Sequence, residues 1–426
     1  MRHKGMAFDR AQLIFSGLVF IGILMASPFT WSQAKESSCV KCHLDLGGEY
    51  AKPVRELQES VHFEKEVACH DCHGGDPTSF DEDKAMSKDA GFIGKPTFEE
   101  IPDFCGRCHS DARLMKKYNL RTDQLSLYKT SFHGKALYEK KDKNAATCIS
   151  CHGGHDMKAP NNPHSKVYKA NIPRTCNRCH GNPDLMRKYG LPSDQFEQYR
   201  RSVHGKLLLA KMDLRAPVCT DCHGVHGAHP PGYREIASVC SHCHAAIGKL
   251  FKESPHYLER EKAEVAKCID CHGDHDIIFP STVLYEGEEE GRCGGCHGNE
   301  SKQSRLAQII EKKIKNAMAS VASASEYLER VRGSGKNLSK IEQDFEEAHS
   351  ELVKARAVTH TLSIDKIEEH TNKAMEKSRE VRGSVVKIVE ELTGRRRDVF
   401  FVLIILGVFI TLIYLKIRGL KSQPPL

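Results

Sequence analysis

The stretch TCISCHGGHD, Thr147 to Asp156, holds two cysteines and two histidines and almost no side chain able to fill an apolar core. Its C-x-x-C-H segment recurs along the whole chain. All 18 cysteines of the 426 residues fall into nine C-x-x-C pairs, each followed at once by histidine. The pairs are Cys39/Cys42, Cys69/Cys72, Cys105/Cys108, Cys148/Cys151, Cys176/Cys179, Cys219/Cys222, Cys240/Cys243, Cys268/Cys271 and Cys293/Cys296. Their histidines are His43, His73, His109, His152, His180, His223, His244, His272 and His297. Histidine is 24 of 426 residues, too rare for nine such successions to be accidental.

C-x-x-C-H is the attachment signature of c-type haem. On one helical turn, positions i, i+3 and i+4 share a face, so two thiols reach the porphyrin vinyl groups while the imidazole reaches the iron. Structural zinc also uses C-x-x-C knuckles, but it requires no histidine directly after every pair. A disulfide framework suits an exported chain, but it would close a strained loop within each pair. The expected cofactor is haem c, nine per chain.

A repeat supplies the second axial ligands. LMKKYNLRTDQLSLYKTSFHGKAL, Leu114 to Leu137, returns as LMRKYGLPSDQFEQYRRSVHGKLL, Leu185 to Leu208, with thirteen of twenty-four positions identical. The unit reads Ser-x-His, then C-x-x-C-H-G-x-H, then a second C-x-x-C-H. The Ser-x-His elements end at His62, His133, His204 and His256, and each precedes two haem motifs, leaving the Cys39 motif alone. His155, His226 and His275 each follow a glycine able to turn the chain off its helix, so each is expected to ligate a different haem from the one its own motif holds.

These are seven second ligands for nine irons. His70, His164, His229, His242 and His360 are available for the remaining two. In the first unit Asp76 stands where later units have their third-position histidine. If the spare histidines do not serve, a weakly ligated iron is expected near Asp76.

The ends place the chain. Residues 1–34 read as a secretory signal peptide, with Arg2, Lys4 and Arg10 before the apolar run Ala11 to Ala26 and a small-x-small site at Ser32-Gln33-Ala34; retention as an anchor is the alternative. VFFVLIILGVFITLIYL, Val399 to Leu415, is seventeen uncharged residues, at the short limit for spanning a bilayer. Residues 396–418 are therefore expected to be a transmembrane anchor, and 419–426 a cytoplasmic tail. The anchor contains no histidine and so cannot hold a haem of its own.

Residues 35–299 form the expected nonahaem cytochrome c domain, a lone haem plus four two-haem units. Residues 300–395 have no cysteine or proline and carry apolar residues at helical spacing, such as Leu306, Ile309, Ile310, Ile314, Met318 and Val321. They predict a helical hairpin broken at RGSGKNLS, Arg332 to Ser339. The fold class is mostly α and irregular: short helices and loops around a haem stack, then a long helical hairpin and one C-terminal transmembrane helix. Hydrophobic residues are only 39% of the chain, so the porphyrins must supply much of the buried apolar surface. The formal charge of +7 becomes about −4 oxidised and −13 reduced once the leader is removed and nine haems with ionised propionates are added. The basic composition thus gives no case for nucleic acid.

From Cys39 to about Leu392 the chain resembles the multihaem c-type cytochromes, particularly the group of hydroxylamine-oxidoreductase-like and pentahaem nitrite-reductase-like proteins. It has no C-x-x-C-K motif, so a lysine-ligated catalytic haem is not implied, and nine haems exceed the eight usual in the hydroxylamine-oxidising group. The resemblance implies electron transfer between a membrane donor, either the quinone pool or a quinol-oxidising subunit, and soluble or outer-surface acceptors. The haem domain would face the periplasm from the bacterial cytoplasmic membrane. The alternative is a reductase or oxidase of a small nitrogen or sulfur compound at an open-coordinate haem.

Overall fold

A computed structural model describes residues 37–231, 236–259, 266–279, 281, 284 and 292–421; the expected signal peptide and the last residues of the tail lie outside them. The described residues are helical and irregular, with no strand among them. Two compact units divide the chain, one of residues 1–96 with 154–157 and one of 97–153 with 158–426.

The first unit is built from short helices joined by polar caps. Ser37 Oγ accepts from Val40 N at 3.3 Å to start Ser38–Leu46, which carries the lone motif. Ser38 N donates to Pro77 O at 2.7 Å, and Val61 N to Met157 O at 2.8 Å, so loops rather than side-chain layers tie this unit together.

The haem-motif part of the second unit has only small apolar clusters. One gathers Tyr128, Leu137 and Ala145, and another Leu208, Ala216 and Val218. They are copies of one design, because Tyr128 donates its hydroxyl to Ala146 O and Tyr199 to Pro217 O, each at 2.8 Å. Large apolar side chains beside the expected ligands stay open, with Phe132 64% and Val225 67% exposed. Protein atoms alone do not close this core.

The C-terminal part is built differently. Helix α1, Lys302–Val331, and helix α2, Ser339–Val358, form the expected hairpin. Gly333 and Gly335, at φ 80° and 75°, make the turn, and Asn337 Oδ1 accepts from Ser339 N at 3.0 Å. After a 3-10 turn at Thr359–Thr361 the chain reverses again into helix α3, Ile364–Lys421. Three layers fill the seam: Ile310, Ile314, Ala355, Val358 and Ile367; then Ala317, Val321, Ala348, Leu352 and Ala374; then Ala324, Leu328, Val331, Ile341, Val381 and Val385. Residues 310, 314, 317, 321, 324, 328 and 331 alternate steps of four and three, the coiled-coil repeat. Alanine recurs in every layer and makes most of the middle one, whereas Ile309 and Met318 face outward at 47% and 41% exposure.

Helix α3 continues without a break from this bundle through the apolar run. Its outer segment is long and apolar enough to cross a membrane. At 1.5 Å per residue the run Val399 to Leu415 is about 26 Å long, and Val399 lies about 52 Å along the helix from Ile364.

Candidate haem sites

The first motif of each repeat lies on a five-residue helix: Cys69–His73, Cys148–His152, Cys219–His223 and Cys268–His272. So short a helix needs its ends tied. The third residue does this at the front, as Asp71, Ser150, Asp221 and Asp270 accept the N–H of Ala68, Thr147, Val218 and Lys267 at 2.7, 3.0, 2.8 and 2.7 Å. Glycine does it at the back, with Gly74, Gly153, Gly224 and Gly273 at φ between 70° and 92°. A Cβ on Gly74 would lie 2.0 Å from Gly91 O. The chain therefore leaves the motif one residue after its histidine, which frees His155, His226 and His275 to serve elsewhere.

The Ser-x-His elements have an equally local cause. Ser60, Ser131, Ser202 and Ser254 are buried and cap short helices, accepting from Phe63, Gly134, Gly205 and Tyr257 N at 3.2, 2.9, 3.0 and 3.3 Å. Each cap fixes the histidine two residues on. In the two long repeats the next residue must be glycine, because a Cβ at Gly134 or Gly205 would lie 1.9 Å from Tyr128 O or Tyr199 O.

Seven motif histidines face a second imidazole. The pairs are His73 with His155, His152 with His226, His180 with His133, His223 with His275, His244 with His204, His272 with His360 and His297 with His256. Ring centres lie 5.9 to 6.2 Å apart. Two imidazoles bonded to one metal ion at about 2.0 Å put their ring centres roughly 6 Å apart, whereas a direct N–H···N bond would bring them to about 5 Å. The spacing fits an iron between the rings.

Tautomers agree where the partner atoms fix them. His73 Nδ1 meets Gly94 O at 2.9 Å, His223 Nδ1 meets His229 O at 3.1 Å and His360 Nδ1 meets Ala357 O at 2.9 Å. A carbonyl only accepts, so Nδ1 carries the proton and Nε2 keeps its lone pair for a metal. Burial, reinforced by the facing imidazole, pulls the His133 and His204 pKa values down and that of His152 to about 4. These rings are neutral, as ligands must be.

The pairing is interleaved. The Ser-x-His histidines His133, His204 and His256 face the second motif of their own repeat. The third-position histidines face the first motif of the repeat before, and His360, on the turn between α2 and α3, faces the first motif of the last repeat. Sulfur atoms show the same succession. Cys105 lies close enough to Cys148, Cys176 to Cys219 and Cys240 to Cys268 for the neighbouring sulfur to push the first thiol of each pair up. Burial and then the neighbouring sulfur push up the thiols of Cys151 beside Cys176 and, to about 11, of Cys271 beside Cys293. Burial, Asp221 and then Cys243 act on Cys222. From the third motif to the ninth, each attachment site therefore adjoins the next. In the first unit, burial and the Cys39 sulfur likewise push Cys69 up to about 11.

The remaining second cysteines of the motifs are less enclosed than this succession would suggest. Cys42 and Cys72 are half-buried, and Cys108, Cys179 and Cys296 are exposed. Cys72 and Cys296 act on the first thiols of their own motifs, Cys69 and Cys293, and Cys179 acts with Cys176 on Cys151. Cys222 and Cys243 are exposed as well, so at Cys108, Cys179, Cys222, Cys243 and Cys296 protein alone does not enclose the second thiol of the motif. None of the eighteen cysteines is in a disulfide.

A cavity between the sixth and seventh motifs is lined by Cys222, His223, Cys243, Lys169 and Arg215 among others. Thiols, an imidazole and two cations suit a porphyrin with its propionates. With the ring spacing and the open apolar side chains, the residues fit haem c.

Asp76 precedes Pro77, whose O accepts at 2.7 Å from Ser38 N at the start of the lone motif's helix. The Asp76 carboxylate accepts from Thr78 N at 2.9 Å and Thr78 Oγ1 at 2.6 Å, which hold its pKa below the usual value, and His73 has His155 opposite. Of the spare histidines only His360 faces a motif imidazole among the described residues. His229 and His242 turn Nδ1 to Gly227 O and Ser238 O, and His164 is exposed. His70 has Nε2 4.0 Å from Asp71 Oδ1.

Comparison with known proteins agrees with this chemistry. Residues 61–181 match the family Cytochrome c3. Over 135 residues the chain is 25% identical to the cytochrome c-type protein NrfB of Escherichia coli, a match covering 30% of this chain and 65% of that relative. No solved structure matches. The matched segments carry several of the motifs, and the chain resembles the multihaem c-type cytochromes.

Proposed function

We propose that the chain is a nine-haem electron-transfer protein, attached to the membrane by α3. When bound, haem c supplies a one-electron iron couple. The observation that carries this reading is the interleaved set of histidine pairs. With haem bound, each of these seven pairs would supply two ligands to one iron and leave no place for a substrate there. Four of the second ligands come from the following repeat or from the bundle, which locks successive sites together. The nine motif histidines are assigned as proximal ligands. His155, His226, His133, His275, His204, His256 and His360 are the distal ligands of the pairs above, and His62 holds in the first repeat the sequence position of His133, His204 and His256. All eighteen cysteines are assigned to thioethers, the less enclosed Cys42, Cys72, Cys108, Cys179 and Cys296 included, because each stands one residue before a motif histidine.

Residues 35–299 form the haem part and face the periplasm, 300–395 form the bundle, and the apolar end of α3 crosses the cytoplasmic membrane. The bundle bears on partners. His360 lies at the end of α3 remote from Val399, and Leu250 packs on Ile310 and Ile367 while Lys366 Nζ meets Glu253 at 2.6 Å. The last motifs are thus held about 50 Å along the helix from the apolar run. Tunnelling falls off steeply with distance, so this end serves the soluble or outer-surface acceptor, and a quinol or quinol-oxidising subunit supplies electrons elsewhere on the chain.

The test uses full-length holoprotein reduced stoichiometrically and mixed with a soluble one-electron acceptor, then separately with nitrite, hydroxylamine or sulfite. Complete reoxidation by the acceptor without turnover of the small molecules is expected. Steady-state turnover of any of them would make the protein an enzyme and overturn the assignment.

A further inference from the structure

His43 differs from the other motif histidines. Seven face a second imidazole, and the repeat register in the sequence gives His109 its counterpart in His62. Among the described residues no imidazole faces His43. The ring that meets it is the phenol of Tyr50, with centres 6.0 Å apart and planes at 88°. Of the other histidines, His370 bonds Glu351, His349 and His164 are exposed, and His70 has Nε2 4.0 Å from Asp71 Oδ1 and a buried Nδ1 with no hydrogen-bond partner.

The local chain explains this arrangement. Gly47 and Gly48, at φ 70° and 48°, reverse the backbone directly after the helix that carries His43, and nothing lies within 4 Å of either position's Cβ direction. The next helix starts at Gly48 and brings Tyr50 back against the imidazole. Tyr50 is 60% exposed, so this corner is open to water and to small solutes. In later repeats the residues after the motif glycine deliver a histidine to another site. Here the turn delivers a phenol, which at neutral pH carries its proton and can donate a hydrogen bond.

We propose that the iron held by His43 keeps an exchangeable sixth position for a small diatomic or anionic ligand, with Tyr50 beside it to donate a hydrogen bond to the bound ligand. The proposal rests on the reading that every motif carries haem. The site is one of binding, and no bond to carbon, nitrogen or sulfur is made or broken there. A polar donor beside an open axial position selects ligands that carry partial negative charge on their outer atom.

The experiment uses full-length holoprotein whose mass first shows nine haems; fewer would defeat the haem assignment and leave this inference without its premise. The oxidised protein is then examined by electron paramagnetic resonance, and the reduced protein is titrated with carbon monoxide. One high-spin haem beside eight low-spin ones is expected, with one carbon monoxide bound per chain. Tyr50→Phe should shift the C–O stretching frequency and speed carbon monoxide release roughly tenfold, while the low-spin signals stay as they were. His70→Ala should leave the uptake at one. Nine low-spin haems with no uptake, uptake that appears only in His70→Ala, or a C–O stretch indifferent to Tyr50→Phe would each overturn the proposal.

Discussion

His272 and His360 face each other with ring centres 6.1 Å apart and planes 18° from parallel, the first on a haem motif and the second on the turn that leads into the helix bearing the apolar run. One metal ion between them would tie the last repeat to the bundle.

Replacing His360 with alanine should therefore convert one low-spin haem to high-spin and leave the haem content at nine. Electron paramagnetic resonance of purified His360→Ala checks this. An unchanged low-spin count would mean that another residue serves the His272 site.

Ser202 and Gly205 act on the same ligand through different physics. Ser202→Ala removes a helix cap and should cost about 1 kcal/mol. Gly205→Ala forces a Cβ to 1.9 Å from Tyr199 O and should cost about 1–3 kcal/mol, with partial loss of low-spin signal at the His204 and His244 site. Denaturant unfolding followed in the Soret band ranks the two; equal costs would show that the backbone gives way at no expense.

Glu351, nearly buried on α2, accepts from His370 Nδ1 at 2.7 Å and Lys354 Nζ at 2.6 Å. Burial alone would raise its pKa, but these bonds outweigh it and hold the carboxyl below its usual value. A depressed carboxyl stabilises the fold above the unfolded pKa and loses that contribution as pH falls through the folded value. Bundle stability should thus be level near neutrality and decline below about pH 4.5. Glu351→Gln should lower neutral stability by about 1–3 kcal/mol and flatten the acid limb. Thermal melts by circular dichroism across pH read both effects.

Truncation before Arg395 should release a soluble, fully haem-loaded protein. The bundle core ends with Val385 and Ile388, and Lys336 meets Glu391 at 2.6 Å, so the cut leaves the packing intact. Recovery of the truncated chain in the membrane fraction would show that another segment or a partner holds it there.

What the sequence disclosed follows the range of the forces involved. The motif cysteines and histidines are set by chemistry within one turn, so they are legible by inspection. How deeply each thiol sits is not, for Cys151 is half-buried and Cys108 exposed though alike in the motif. His155, His226 and His275 are legible because Gly153, Gly224 and Gly273 announce a turn. Their pairing is not, since His226 meets His152 across a haem-wide gap that no local pattern encodes, and His360 is only one of several spare histidines. Asp76 holds the third-position place of the first unit, and because the later histidines of that position face the first motif of the preceding repeat, its place in the sequence points to the lone motif rather than to His73. Asp71, Ser150, Asp221 and Asp270 are readable as caps from their fixed place in the motif. In the bundle, Ile309 and Met318 draw attention by size, while Ala307, Ala317 and Ala324 are buried because the three helices approach closely there.

The most direct test of the whole account is the mass of the denatured full-length protein together with a thiol titration. Nine covalently attached haems and no reactive thiol are expected, since all eighteen cysteines stand in C-x-x-C-H motifs. The exposed Cys108, Cys179, Cys222, Cys243 and Cys296 would react first if they were unmodified. A mass gain short of nine haems, or any titratable cysteine, would contradict the account.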